Sequence, residues 1–342
     1  MFTSPARNPS YRLDPPPGKF EIMTTKVLLT DRGWADYENE RKLLAEYGYE
    51  LVTAEETDED SLAALAKDVA AIGTCWAKVT RKVIDSAPDC KTVVRYGIGL
   101  DNIDVARATE LGMVVTNVPD YCVIEVAEHT LGFILACNRR IVQLNKMMEA
   151  GKFERMLTPP IVRLAGQTLG LVGFGRIARE VYTRAVGMGL KVIAYTPSGN
   201  NYGLDCEMVS FDELLKRSDY ISLHSPLTPE TQHLMGSEQF KAMKPTSFLL
   251  NTSRGGLVDT EALKKAIDGG EIAGAALDVF EQEPPQMDDP FWQDDRVIVT
   301  PHAAFVSEES LDDLRLRATR QIIQVLQGEK PDNVVNPQVY KS

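Results

Sequence analysis

The chain has 342 residues, 44% hydrophobic and 25% charged, with 49 acidic against 37 basic side chains for a formal net charge of −12. That is chain enough for two domains with cores of their own in a soluble globular composition. The acidic balance argues against nucleic acid and anionic membranes as partners, and the longest apolar run, around "TLGFILAC", falls far short of the roughly 20 residues a membrane span needs.

In chain order, residues 1–23 contain "DPPPG" and are expected to form an N-terminal arm, neither helix nor central strand. They include no apolar leader stretch, so a cytoplasmic location is expected. From Lys26 a rhythm begins: strand "KVLLT", helix "DYENERKLLAEYG", strand "YELVT", helix "DEDSLAALAKD", strand "VAAIGT", helix "TRKVIDSAP", then "TVVRYG", "NIDVARATELG" and "MVVTNV". Strands alternating with helices of about ten residues predict βαβ units and a parallel sheet covered on both faces. The rhythm breaks at Tyr121, where the stretch to Ala150 reads as one long helix without an interior proline. It restarts with "TLGLVGF", "RIAREVYTRAVGMG", "KVIAYT", "FDELLKRS" and "YISLH", and later with "TSFLLNT", "DTEALKKAIDGG", "IAGAALDVF" and "RVIVTPH". A closing helix is expected over 307–328, where it could return to pack on the first block. The five cysteines, Cys75, Cys90, Cys122, Cys137 and Cys206, form no CxxC and no cluster with histidine, so reduced buried thiols and no metal are expected.

The turn "GLVGFGRIARE" (170–180) sits between a buried-strand pattern and a helix, the context that gives a glycine-rich match meaning. Gly173 permits the tight turn, Gly175 lets backbone approach a pyrophosphate, and Ala178 keeps the helix close to the sheet. The acidic residue expected about 20 residues on is absent. Thr196 follows the next strand, with Ser198 beyond it and no Arg or Lys in "TPSGNN", so NAD and NADP both stay open as cofactor.

Three groups follow the ends of apolar strands: Arg254 in "NTSRGG", Glu283 in "DVFEQEPP" and His302 in "VTPHAA", with Asp278 at a strand end as well. Such residues converge on the crevice where α/β sites lie. Their chemistry suits hydride transfer to a 2-keto acid. Arg254 would hold the carboxylate, His302 would give a proton to the carbonyl oxygen, and Glu283 would fix the imidazole ring. Of the other histidines, His129 reads as packed in the long helix and His233 as a surface residue.

With these motifs in order, the chain resembles the D-2-hydroxyacid dehydrogenase family. The matching segments are "RYGIGLDNIDVARATELGM" (95–113), "VGFGRIARE" (172–180), "LHSPLTPETQHL" (223–234), "LLNTSRGGLVDTEAL" (249–263), "GAALDVFEQEP" (274–284) and "VTPHAA" (299–304). "NVPDYCVIEVAEHTLGFIL" is most similar to the C-terminal-binding-protein-like branch. The resemblance implies an α/β fold of two Rossmann-like doubly wound domains. The substrate domain would be discontinuous (24–122 plus 303–342), with the dinucleotide domain at 123–302. It implies Arg254, Glu283 and His302 as catalytic residues, and Ile98 and Gly99 as backbone that grips the substrate carboxylate. Arg176, Ile177, His224, Thr231, Thr252 and Asp278 join Gly173, Gly175 and Thr196 on the cofactor side. Trp76, Lys78 and Phe305 fall near the substrate side chain, where Lys78 reads either as a contact to a second acidic group or as a solvated lysine. A homodimer through the helix and arm at about 123–160 is implied too. The expected activity is reversible reduction of a 2-keto acid to an (R)-2-hydroxy acid. The alternative is a dinucleotide-sensing, corepressor-like interaction protein with little turnover.

Overall fold

The computed structural model describes residues 25–157 and 159–340, so the expected arm at 1–23 lies outside the described residues. The chain forms two compact units, one running up to Tyr121 and resuming at Leu311, the other spanning Cys122–Ser310.

In the first unit, five strands form a parallel sheet: β1 (Thr25–Leu29), β2 (Tyr49–Thr53), β3 (Val69–Thr74), β4 (Thr92–Arg95) and β5 (Val114–Thr116), in the order β2-β1-β3-β4-β5. Strand side chains alternate between faces, and both faces here are apolar. Leu28, Ile72, Val93 and Val115 pack on one side against Leu62, Val83 and Ala108 from the crossover helices. Val27, Leu29, Ala71 and Val94 pack on the other side with Leu44, Leu314, Ala318 and Ile322. The last three lie on the helix Glu308–Leu326, so the chain's closing helix completes the core of its opening strands. Burial of each such Leu or Ile is worth roughly 1.5–3 kcal/mol.

The second unit has seven parallel strands: β6 (Thr168–Val172), β7 (Lys191–Tyr195), β8 (Glu207–Met208), β9 (Tyr220–Leu223), β10 (Phe248–Asn251), β11 (Gly274–Leu277) and β12 (Val297–Val299). Their order is β12-β11-β10-β9-β6-β7-β8, the doubly wound arrangement. Its runs read as continuous apolar stretches because both faces are covered.

The expected single helix from Tyr121 to Ala150 is corrected. It is two helices, Val123–Arg139 and Ile141–Glu149, divided at Arg140, whose φ of 51° lies in the left-handed region. No glycine or proline marks the break. Asn138 donates to the Val162 carbonyl and the Tyr220 hydroxyl, both at 3.0 Å, so tertiary bonds hold the turn before the break. The short edge strand β8 and the helix Ser237–Ala242 lie outside the predicted elements. Among the described residues all five cysteines are free and buried, and burial pushes the thiols of Cys75, Cys90 and Cys137 up to about 12. No helix among them is long and apolar enough to cross a membrane.

Candidate active site

In the second sheet the chain leaves β6 toward β7 on one side, while β9 leads to β10 on the other. Loops beyond the strand ends diverge at this point and open a crevice. The glycine turn stands there. Gly173 has φ 93°, and a Cβ on it would lie 2.6 Å from the His224 carbonyl oxygen, so only glycine fits. Its N–H donates to the Tyr195 carbonyl at 2.8 Å. Gly175 caps the helix Arg176–Gly187, and a Cβ there would have no protein atom within 4 Å. Arg176 and Ile177 open that helix, where backbone N–H groups lack intrahelical acceptors. Ala178 is fully buried against the sheet. An open glycine ahead of a helix N-terminus suits a dinucleotide pyrophosphate.

The other positions expected on the cofactor side lie beyond the ends of strands of the same sheet. Thr196 follows β7, its Oγ1 2.8 Å from Ser198 Oγ, so hydroxyls stand where an acid is usual. Thr231 fixes its own loop, accepting from Thr228 N at 2.8 Å and donating to the Pro226 carbonyl at 2.7 Å. The Thr252 hydroxyl lies 3.1 Å from that of Thr130. His224 has Nε2 2.9 Å from Ser222 Oγ, and burial lowers its pKa to about 4, which keeps the ring neutral.

The three groups expected to react, Arg254, Glu283 and His302, lie on the loops beyond β10, β11 and β12. His302 Nδ1 lies 2.7 Å from Glu283 Oε2, with both side chains partly exposed at 27% and 35%. The other Glu283 oxygen accepts Phe280 N at 3.0 Å. Burial pushes the Glu283 carboxyl up, but His302, the Phe280 N–H and the charge of Arg254 together hold it below its ordinary value. Arg254 donates through Nη1 to the Ser253 carbonyl at 2.8 Å. Gly255 follows it, pressed against the next loop so closely that a Cβ would lie 1.9 Å from the Phe280 carbonyl carbon.

Asp278 is fully buried at the end of β11 and carries the His302 turn. Its carboxylate accepts from Thr300 Oγ1 at 2.5 Å, Ala303 N at 2.9 Å and Ala304 N at 3.0 Å, while its carbonyl accepts His302 N at 2.7 Å. His302 is thereby held at φ 51°. The Phe305 ring stands edge-on to the His302 ring at 6.0 Å.

In the first unit, Trp76 and Lys78 lie on the loop after β3, and Ile98 and Gly99 on the loop after β4. Asp31 organises the first of these loops, accepting from Cys75 N at 2.8 Å, Trp76 N at 2.6 Å and Ala77 N at 3.0 Å. Asn102 ties Ala77 from the other side at 2.9 Å. The Ile98 carbonyl accepts from Asn117 Nδ2 at 2.7 Å.

Sequence reading missed three supports. The packed residue His129 sits behind the His302 turn, with Nε2 3.0 Å from Thr300 Oγ1. Burial lowers its pKa, partly opposed by Asp278. His233 is exposed, as expected, and its ring in addition pairs with Glu281 at 2.6 Å. Asp31 carried no motif at all. Each partner is remote in sequence, so no local pattern marks the pair. Among the described residues no group of three His, Cys, Asp or Glu side chains could hold a metal.

Residues 131–304 match the family described as D-isomer specific 2-hydroxyacid dehydrogenase, NAD binding domain. The chain is 41% identical over 315 residues to a D-3-phosphoglycerate dehydrogenase of Methanocaldococcus jannaschii, a match covering 91% of this chain and 59% of that protein. It thus spans less than two thirds of that relative's length. To a glyoxylate reductase of Thermofilum pendens it is 39% identical over 292 residues, 83% of each chain. It superposes with TM-score 0.83 and 29% identity on a D-lactate dehydrogenase of Aquifex aeolicus complexed with NAD and lactic acid, covering 91% of this chain and 99% of that one.

Proposed function

Because the chain belongs to the D-isomer specific 2-hydroxyacid dehydrogenase family, we propose that it is an NAD(P)-dependent oxidoreductase interconverting a 2-keto acid and an (R)-2-hydroxy acid. The observation that carries this reading is the His302–Glu283 pair at 2.7 Å, with the charge of Arg254 acting on the same carboxylate. The unit with β6–β12 is the dinucleotide-binding domain in this reading, and the unit with both chain ends is the substrate domain.

A bound nicotinamide cofactor, NAD or NADP, supplies the hydride. The protein's part is binding and proton transfer. Gly173, Gly175, Arg176 and Ile177 hold the pyrophosphate, Thr196 the ribose, and His224, Thr231, Thr252 and Asp278 complete the cofactor side. Arg254 binds the substrate carboxylate through charge-assisted bonds and draws electron density from the keto group. Glu283 accepts from His302 Nδ1, which leaves Nε2 to give a proton to the carbonyl oxygen in reduction and take it back in oxidation. Ile98 and Gly99 are proposed as backbone contacts to the carboxylate, and Trp76, Lys78 and Phe305 as determinants of side-chain choice.

The proposed assembly is a cytoplasmic homodimer through about 123–160. Exposed apolar side chains there, among them Ile124, Ile141, Met148, Phe153 and Met156, support an interface of that kind. Light scattering of purified protein tests it, and a monomer at micromolar concentration would refute it.

The activity is tested by nicotinamide absorbance with glyoxylate, pyruvate, hydroxypyruvate, branched, aromatic and dicarboxylic keto acids, each with NADH and NADPH. Rapid oxidation with one class is the expected result and also reports what Thr196 selects. Tight binding of either cofactor without turnover on any acid would instead favour the dinucleotide-sensing scaffold.

A further inference from the structure

The loop after β11 carries two glutamates two residues apart, and each meets a histidine. Glu283 pairs with His302 at 2.7 Å, and Glu281 pairs with His233 Nε2 at 2.6 Å. The second pair has no part in the proposed chemistry. Its surroundings are nonetheless built. His233 adopts φ 53°, in the left-handed region that few residues other than glycine enter, histidine more often than most. In that conformation its N–H donates to the Gly256 carbonyl at 2.8 Å while its ring reaches Glu281. The other Glu281 oxygen accepts from Thr260 N at 2.9 Å. Burial pushes the Glu281 carboxyl up, and the Thr260 bonds and His233 outweigh it to hold the group below its ordinary value.

These bonds join the loops that follow β9, β10 and β11. His233 belongs to the first, Gly256 to the second and Glu281 to the third. At the same junction Gly255 presses on the Phe280 backbone, with no room for a Cβ. Arg254 is the residue before Gly255, and Glu283 accepts from Phe280 N at 3.0 Å. Arg254 and Glu283 therefore hang from the two sides of one braced junction.

We propose that His233 and Glu281 are positioning residues, a second histidine–carboxylate pair that sets the spacing of Arg254 and Glu283 by locking their loops together. The inference rests on the catalytic reading of Arg254 and Glu283. A histidine–carboxylate contact as exposed as this one, 43% and 33%, adds little to stability. Displacement of a catalytic group by about 1 Å, by contrast, can cost roughly 100-fold in rate. The pair acts on rate through geometry.

The test compares His233→Ala, His233→Gln and Glu281→Gln with the wild type and with His302→Ala, on the keto acid the wild type reduces fastest. In His233→Ala and Glu281→Gln, kcat is expected to fall about 10- to 100-fold. The cofactor dissociation constant, read by protein fluorescence, and the melting temperature stay near wild type. His233→Gln, which keeps a donor toward Glu281, recovers part of kcat. The double variant His233→Ala/Glu281→Gln is no slower than the worse single, because the two act as one unit. Unchanged kcat in His233→Ala overturns the proposal, as does a loss that tracks the melting temperature with no recovery in His233→Gln. A wild type inert on every keto acid, or a fully active His302→Ala, overturns the catalytic reading itself. An active wild type and an inactive His302→Ala, with His233→Ala at full rate, overturn only the positioning role.

Discussion

Each unit has one place where its sheet reverses strand order, and the two places are filled differently. In the first unit β1 and β3 diverge, and the Asp31 carboxylate, just past β1, collects three successive N–H groups from residues 75–77 past β3. In the second unit β6 and β9 diverge, and the chain puts Gly173 and Gly175 there, with no protein atom within 4 Å of a Cβ on Gly175. Parallel sheets generate concavities of backbone N–H groups at such points. One side chain decides whether the concavity becomes structure or a binding site. The second unit has its own internal anion elsewhere, since Asp278 gathers the N–H groups of Ala303 and Ala304 as Asp31 gathers those of 75–77. Asp31 thus anchors a loop bearing Trp76 and Lys78, and Asp278 anchors one bearing His302. In the proposed function the first carries groups for substrate recognition and the second the group that gives the proton.

The largest expected effect tests that last distinction. His302→Ala should lower kcat by about 100- to 10,000-fold while leaving cofactor affinity near wild type, as measured by nicotinamide absorbance and fluorescence titration. Retained activity would remove the proton from His302 and leave its anchored loop unexplained. Next, the open switch point can be given an anion of its own. Gly175 has φ −73° and open space, so Gly175→Asp should fold normally. Its carboxylate should weaken dinucleotide binding on the order of 100-fold by like-charge repulsion. Normal affinity would mean that the pyrophosphate does not approach there.

Asp278→Asn tests the buried anchor. Exchanging one acceptor oxygen for a donor leaves one N–H of the His302 turn, that of Ala303 or of Ala304, opposed by another donor, at a cost of about 2–4 kcal/mol. Denaturant unfolding should show it. A pH series adds a related contrast at His224, whose pKa burial lowers from 6.5 to about 4. The unfolded chain takes up the proton first, so stability from keeping this ring neutral is fully present above about pH 6.5. It is lost as pH falls toward 4, by an amount on the order of 3 kcal/mol. His224→Asn should flatten the stability curve in that window relative to wild type, and an unchanged slope would refute the assignment.

The alternating elements, both parallel sheets and the glycine turn were legible because each is local. A strand and its flanking turn are written in consecutive residues, and His302, Glu283 and Arg254 each follow such a strand. What stayed illegible is non-local. Arg140 breaks a helix with no Gly or Pro because bonds from Asn138 reach Val162 and Tyr220. His233 is at the surface as expected, but its pairing could not be read because Glu281 lies 48 residues away. Asp31 looks like an ordinary strand-end acid until the loop that wraps it is placed, and Asp278, read for the cofactor side, shows its hold on the His302 turn only then. Thr196 is legible as a missing acid, yet its hydroxyl pair with Ser198 favours neither cofactor by charge.

The smallest expected effect is the counterpart of Asp278→Asn in the first unit. In Asp31→Asn the amide oxygen can still accept from Trp76 N and Ala77 N, while the amide nitrogen, turned to the Thr30 hydroxyl, faces Cys75 N, donor against donor. The site is only partly buried, so water can relieve some of the conflict, and a loss of about 1 kcal/mol is expected. Trp76 keeps its seat over Gly33, where a Cβ would lie 2.5 Å from its ring, and Asn102 still holds the Ala77 carbonyl. The loop should therefore loosen without unfolding. If this loop reads the substrate side chain, KM for the preferred keto acid should rise a few-fold, on the scale of that energy, with kcat and cofactor affinity nearly unchanged. Loss of kcat instead would mean that the Asp31 anchor serves chemistry too, and the contrast between the two anchored loops would fall.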